Sequence, residues 1–181
     1  MLPLDPSIPL TCRVLGALVF AGAALGKLRH ATEFTGVVAN YRLLPEALAT
    51  PAAWLVVVLE IAVALSLAAG LWLSAGVTLG CVLLAVFALA MGVNLARGRR
   101  QIDCGCFQSA LRQHLRPALL VRNALLTGLL LVAVLPAAPG ISALQWVDGI
   151  AAGLVLFLVY QAGNELLALR DAVDALRKRF A

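Results

Sequence analysis

The stretch 51–69, PAAWLVVVLEIAVALSLAA, runs for 19 residues with a single charge, at Glu60. About 20 helical residues cross the roughly 30 Å hydrocarbon core of a bilayer, so this segment reads as a transmembrane helix. Four more stretches have the same character: Leu10–Leu28, Leu71–Ala96, Pro117–Leu135 and Ile141–Tyr160. The apolar residues are mostly Leu, Ala and Val, which suit helices, and the alternation that marks a membrane barrel is absent. Composition agrees. Of 181 residues 62% are hydrophobic and 13% charged, with mean hydropathy +0.98, whereas soluble domains carry roughly a quarter charged residues.

The expected architecture is an all-α membrane protein: a four-helix transmembrane bundle over residues 1–140, then a fifth transmembrane helix and an amphipathic C-terminal helix over 141–181. Pro51 and Pro117 suit first helical positions, and the run of Pro136, Pro139 and Gly140 breaks the fourth helix. Between the first two spans, Phe34, Val37, Val38, Tyr41, Leu43, Leu44 and Leu48 are too apolar for a solvated loop. They predict an interfacial or re-entrant amphipathic helix ended by Pro45. In the tail, Leu166, Leu169, Val173, Leu176 and Phe180 recur at steps of three and four, the stripe of an amphipathic helix. Glycine pairs four apart (Gly22 and Gly26, Gly76 and Gly80, Gly149 and Gly153) predict close helix packing within one bundle.

The net charge of +5 does not call for nucleic acid, because its distribution is one-sided. Lys27, Arg29 and Arg42 flank the first connection; Arg97, Arg99, Arg100, Arg112 and Arg116 the third; Arg170, Arg177, Lys178 and Arg179 the tail. The other two connections carry no Lys or Arg. The positive-inside rule then predicts a multi-pass protein of the plasma (inner) membrane, with its N-terminus outside and its C-terminus cytoplasmic. The opening residues lack the basic region of a cleavable signal peptide, so the first span is expected to direct its own insertion.

The chemistry concentrates in Ile102-Asp103-Cys104-Gly105-Cys106-Phe107, inside the basic loop 97–116. Thiolates are the reactive species, and nearby positive charge favours them. A disulfide across one glycine closes a small strained ring, and strained disulfides exchange readily. Cys104 and Cys106 are therefore the candidate redox pair. A metal site is disfavoured: Cys104, Cys106, Asp103 and the distant His114 do not make a convincing tetrahedral set, and no metal is expected. Cys12 and Cys81 lie in apolar spans and read as inert buried thiols. Glu60 is the second candidate, since an ionisable group inside a membrane span is costly and usually functional. It could accept a proton from a thiol, or lock the bundle through Asn94, Asn123 or Arg122. Arg122 itself can snorkel toward the cytoplasmic side.

Two groups of strings carry a resemblance. One runs from Gly26-Lys27-Leu28 through Glu33-Phe34 and Asn40-Tyr41-Arg42-Leu43-Leu44-Pro45 to Leu59-Glu60. The other joins Asn94-Leu95-Ala96-Arg97-Gly98, Asp103-Cys104-Gly105-Cys106-Phe107 and Val121-Arg122-Asn123. Together they resemble the methylamine utilisation protein MauE family, within the DoxX-like redox membrane proteins, over roughly residues 10–135. The family's usual glycine after Phe107 is Gln108 here. The resemblance implies a DoxX-like four-helix bundle and a role in maturing an exported, disulfide-rich client of the methylamine dehydrogenase small-subunit type. It also implies a thioredoxin-like partner, a quinone as electron partner, and Lys27, Asp103, Arg122 and Asn123 as residues supporting Cys104, Cys106 and Glu60. On this reading the chain is a thiol–disulfide oxidoreductase component. The alternative is a non-catalytic assembly or transport component whose CGC loop docks a partner.

Overall fold

The structure, a computed structural model, describes residues 4–99, 101–105 and 114–180, with the side chains of 171, 174–176 and 178–180 excepted. Six helices account for most of it: α1 (Ser7–Arg29), α2 (Ala31–Asn40), α3 (Glu46–Ala69), α4 (Leu73–Ala96), α5 (Pro117–Val132) and α6 (Ala143–Phe180). Four are long and apolar enough to cross a membrane: α1, α3, α4 and the Ala143–Arg170 part of α6. The shorter α5 is apolar as well. The chain is thus a multi-pass membrane protein.

Local chemistry sets the helix ends. The Asp5 carboxylate accepts from the backbone N–H and the hydroxyl of Ser7, at 2.9 and 2.7 Å, at the start of α1. Those bonds, the backbone one first, hold the Asp5 carboxyl below its ordinary range. The turn between α3 and α4 is tight: Gly70 takes a left-handed conformation and donates to the Ser66 carbonyl at 2.9 Å. Trp72 follows at the tip, 88% exposed, where an indole suits a membrane–water interface. Pro117 stands at the first position of α5, as its missing N–H favours.

Several boundaries differ from the sequence expectation. Pro51 does not open its helix. Pro45, in an extended conformation, precedes a helix that already begins at Glu46, and Pro51 lies inside it. Pro51 stands in the second turn, where it denies the Ala47 carbonyl an intrahelical N–H. Nor does Pro45 end α2. That helix stops at Asn40, and Arg42 just beyond it turns left-handed, at φ +49°. The fifth span and the tail are one helix of 38 residues, about 57 Å long at 1.5 Å per residue. α5 has only 16 residues, about 24 Å, and its chain leaves through tighter turn bonds at Ala133, Val134 and Leu135.

α1 stands at the centre. It packs against α3 and α5 on one side and α6 on the other, while α4 closes the bundle between α3 and α5. Leu15 and Phe20 of α1 meet Val63 and Leu67 of α3, Leu84 of α4 and Leu130 of α5 in one buried cluster. α2 lies beside the first half of α3, with Phe34 against Ala53 and Val57. At one end of the bundle Ala138 donates to the Leu4 carbonyl at 3.0 Å and Gln145 to Asp5 at 3.3 Å, tying the N-terminal segment to the α5–α6 connection.

Gly149 and Gly153 make the α1–α6 contact possible. A Cβ at Gly149 would stand 2.7 Å from Leu10, and one at Gly153 2.7 Å from Val14 and 3.1 Å from the Thr11 carbonyl. This is the close approach that small residues permit between membrane helices, and it lies within one chain. Gly153→Leu should therefore cost about 1–3 kcal/mol, as overpacking does, read as a fall in thermal stability in detergent. At Gly163 of the same helix no described atom lies within 4 Å of a built Cβ, and Gly163→Leu should show no such loss.

Candidate functional site

Glu60 lies fourteen residues into α3, where a bare carboxylate in hydrocarbon would be costly. Its partner is Lys27, in the last turn of α1. The Lys27 ammonium donates to both carboxylate oxygens, at 2.6 and 2.9 Å, and the two side chains are 3% and 1% exposed. The rings of Phe34 and Phe87 stand 5.3 and 5.5 Å from the same nitrogen, within the range where an aromatic face attracts a cation. The other polar groups considered from sequence each have contacts of their own. Asn123 donates to the Leu84 carbonyl at 3.4 Å, Asn94 to the carbonyls of Tyr41 and Ala90, and Arg122 to Asn164 of α6 at 3.0 Å, with its guanidinium over Tyr160. Arg122 is thus engaged with α6 rather than extended along α5 to the surface.

The described arms of the thiol loop bring Cys104 and Gly105 to the same cavity as this pair. Leu115 donates to the Ile102 carbonyl at 3.1 Å and Asp103 bridges His114, so the two arms of the loop run together. Gly105 is buried and left-handed, at φ +71°, and a Cβ there would stand 3.1 Å from Val37 and 3.5 Å from Phe34. Both the conformation and the approach to α2 require glycine. Cys104 packs beside the cluster of Val37, Tyr41, Met91, Leu115 and Leu119, and its carbonyl accepts from the Tyr41 hydroxyl at 3.2 Å. Cys106, the second thiol of the expected pair, lies outside the described residues.

One cavity of about 380 Å³ joins these groups. Lys27, Glu60, Cys104, Gly105, Arg122 and Asn123 all border it, together with Tyr41 and the rings of Phe34 and Phe87. Its remaining walls are almost wholly apolar, and Leu43, Leu44, Leu55 and Val86 at its edge are exposed on the outer surface of the bundle. In a bilayer that edge faces lipid or the interface. Of the residues named from sequence, Asp103 does not border the cavity; its backbone shapes the loop instead. Cys12 lies apart in the core and Cys81 packs beside that core. Among the described residues no group of three or more His, Cys, Asp or Glu could hold a metal ion.

Sequence reasoning did not pair Lys27 with Glu60 and assigned no role to Phe34, Phe87 or Tyr41. A signal for the first was present. A carboxylate deep in one span asks for a base, and Lys27 stands on the inner side of the basic flank of the first span. Lys27 entered as topological charge and, through the resemblance, as a supporting residue, but the direct pair was not foreseen because helix period says nothing about which spans are neighbours.

The sequence profile of the family described as methylamine utilisation protein MauE matches residues 5–136, the bundle and the loop together. The chain belongs to the MauE family. Proteins described as methylamine utilization protein MauE from Paracoccus versutus and Paracoccus denitrificans are 45% and 39% identical over 165 and 174 residues. These alignments cover 90% and 95% of this chain, and 88% and 94% of the relatives. Their counterpart from Methylorubrum extorquens is 40% identical over 164 residues, 87% of each chain. Such coverage extends the likeness through α6, beyond the span that the sequence strings had suggested. No solved structure matches.

The ion pair generates a sharp expectation. Removing one member takes from the other its buried ion-pair partner, a loss that costs about 3–5 kcal/mol, while replacing both with apolar residues is often near neutral. Lys27→Met and Glu60→Leu should each destabilise the bundle strongly, and the double variant should recover much of the loss. Unfolding measured for all three variants checks this; additive losses would show that the two side chains act separately.

Proposed function

We propose that this chain is a membrane-embedded thiol–disulfide redox component of methylamine utilisation, with Cys104 and Cys106 as the redox pair. The observation that carries the reading is the placement of Cys104 on the wall of the same cavity that holds the buried Lys27–Glu60 pair. Oxidising two thiols to a disulfide releases two electrons and two protons. The Glu60 carboxylate is a proton-accepting group at the cavity, and the Lys27 ammonium beside it offsets the negative charge of a thiolate or a reduced acceptor. A quinone would take up both electrons and both protons to become the quinol, and the apolar edge formed by Leu43, Leu44, Leu55 and Val86 suits a lipid-dissolved partner of that class.

The client on this reading is an exported, disulfide-rich protein of the methylamine dehydrogenase small-subunit type, reached through a thioredoxin-like partner. The chain sits in the plasma (inner) membrane with Asp5 and the α5–α6 connection outside and the basic end cytoplasmic. The placement of Cys104 and Gly105 at the cavity supports a thiol that reacts there rather than free in the cytoplasm. Topology reporters fused after Pro139 and after Ala181 should then read opposite sides. The same side for both would remove the α6 crossing.

The decisive measurement is a redox titration of the Cys104–Cys106 pair in the full chain, beside activity and membrane abundance of the single variants. Cys104→Ser and Cys106→Ser should each abolish function with the protein still inserted, and the double variant should be no worse, because members of a catalytic unit are non-additive. Each lone thiol should trap a mixed disulfide with its partner, the obligatory intermediate of exchange. A pair that forms no disulfide across the biological range of potentials would instead favour a loop that docks a partner.

A further inference from the structure

Tyr41 has no role in the chemistry above, yet it touches each element that frames the thiol loop. Its ring is buried among Val37, Met91, Leu115 and Leu119. Its carbonyl accepts from Asn94 Nδ2 at 3.3 Å and Arg99 Nη1 at 3.4 Å. Asn94 is fully buried, and its own carbonyl oxygen accepts from the same Arg99 nitrogen at 3.0 Å. The backbone at Tyr41 is therefore clamped to the C-terminal end of α4 and to the start of the loop. From that fixed point the phenol reaches across to the Cys104 carbonyl at 3.2 Å.

That carbonyl belongs to the peptide unit joining Cys104 to Gly105, and the next residue makes this unit unusually easy to turn. Glycine adopts either sign of φ without steric penalty, so rotating the peptide plane and returning Gly105 from φ +71° meets little local resistance. Such a rotation changes the ψ of Cys104, and with it the direction of the Cys104 side chain relative to the chain that follows it. A neutral hydrogen bond from a clamped donor is a hold of the right strength, firm enough to favour one state and weak enough to release.

We propose that Tyr41 is a positioning residue that keeps the Cys104 thiol facing the membrane cavity, and that release of its hydroxyl turns the thiol toward water. The functional meaning of the two positions rests on the redox reading above: one position meets the cavity, the other meets a protein partner.

The test is alkylation of the reduced, full-length protein in bilayer discs, followed at Cys104 by site-resolved mass spectrometry. Two reagents are used, a charged maleimide confined to water and an uncharged one that enters lipid. Tyr41→Phe keeps the ring and its packing and removes only the hydroxyl. It should raise the rate with the charged reagent between about twofold and tenfold, the worth of one net hydrogen bond, without a matching rise for the uncharged one. The rate at Cys81, in the core half of α4, should stay unchanged. Gly105→Ala, which strains the left-handed backbone on the other side of the same peptide, should shift the ratio of the two rates in the same direction. An unchanged ratio in Tyr41→Phe, or equal acceleration with both reagents and at Cys81, would overturn the proposal, because the first shows no hold and the second only general loosening. Alkylation needs no disulfide. A shifted ratio with a failed redox titration would sink the redox reading and leave the placement of the thiol. A normal titration with an unshifted ratio would do the reverse.

Discussion

The contact between Lys27 and Glu60 is the constraint from which the rest of the site follows. A carboxylate fourteen residues inside an apolar helix has to be neutralised or paired, and the ammonium that pairs it comes from the last turn of the neighbouring helix. That fixes the height of α1 against α3 and the rotation of both, since a one-residue turn of either would swing its charge into lipid. A buried pair of this kind contributes little net stability over an apolar equivalent. What it contributes is registration. With that register set, α2 can fold back beside α3 so that Phe34 lies over the ammonium, and the thiol loop can rest on α2 through Gly105.

On the proposed redox reading, the same arrangement would join two kinds of chemistry in one apolar chamber, since a thiol pair that is oxidised gives up electrons and protons together. Around the cavity stand a carboxylate, an ammonium, a guanidinium and a thiol, on four different parts of the chain: α3, α1, α5 and the loop. Each is held by contacts to a further element, so the chamber belongs to the bundle as a whole. Low dielectric strengthens every charge interaction there, so a change of protonation at Glu60 would be felt at Lys27 and along the wall toward Cys104.

Much of this was legible in the chain. Apolar runs located α1, α3, α4, α5 and α6, Pro117 marked the start of α5, the apolar residues between Phe34 and Tyr41 announced α2, and Glu60 stood out as a charge where none belongs. The pairing of Glu60 was not legible, because a partner 33 positions away is chosen by tertiary neighbourhood, and helix period carries no information about neighbours. The ends of α2 and α3 were misplaced for a related reason. Pro51 and Pro45 each permit more than one local outcome, and the left-handed turn at Arg42, a residue with no intrinsic taste for it, comes from the clamp on Tyr41. The tail read as an amphipathic helix after the fifth span because its stripe is real; no proline lies between Tyr160 and Arg170, and Gly163 is accommodated, so one helix runs through both.

The shortness of α5 has a consequence for the membrane itself. Its sixteen residues reach about 24 Å where the hydrocarbon is about 30 Å thick, while its neighbours α1 and α4 have 23 and 24 residues. The protein therefore presents a perimeter of uneven height, low along the lipid-facing Val121, Leu125 and Leu131 and high elsewhere. Lipid beside the low wall has to thin or tilt to cover it, at a modest energy per ångström of mismatch. Short-chain lipids would gather there.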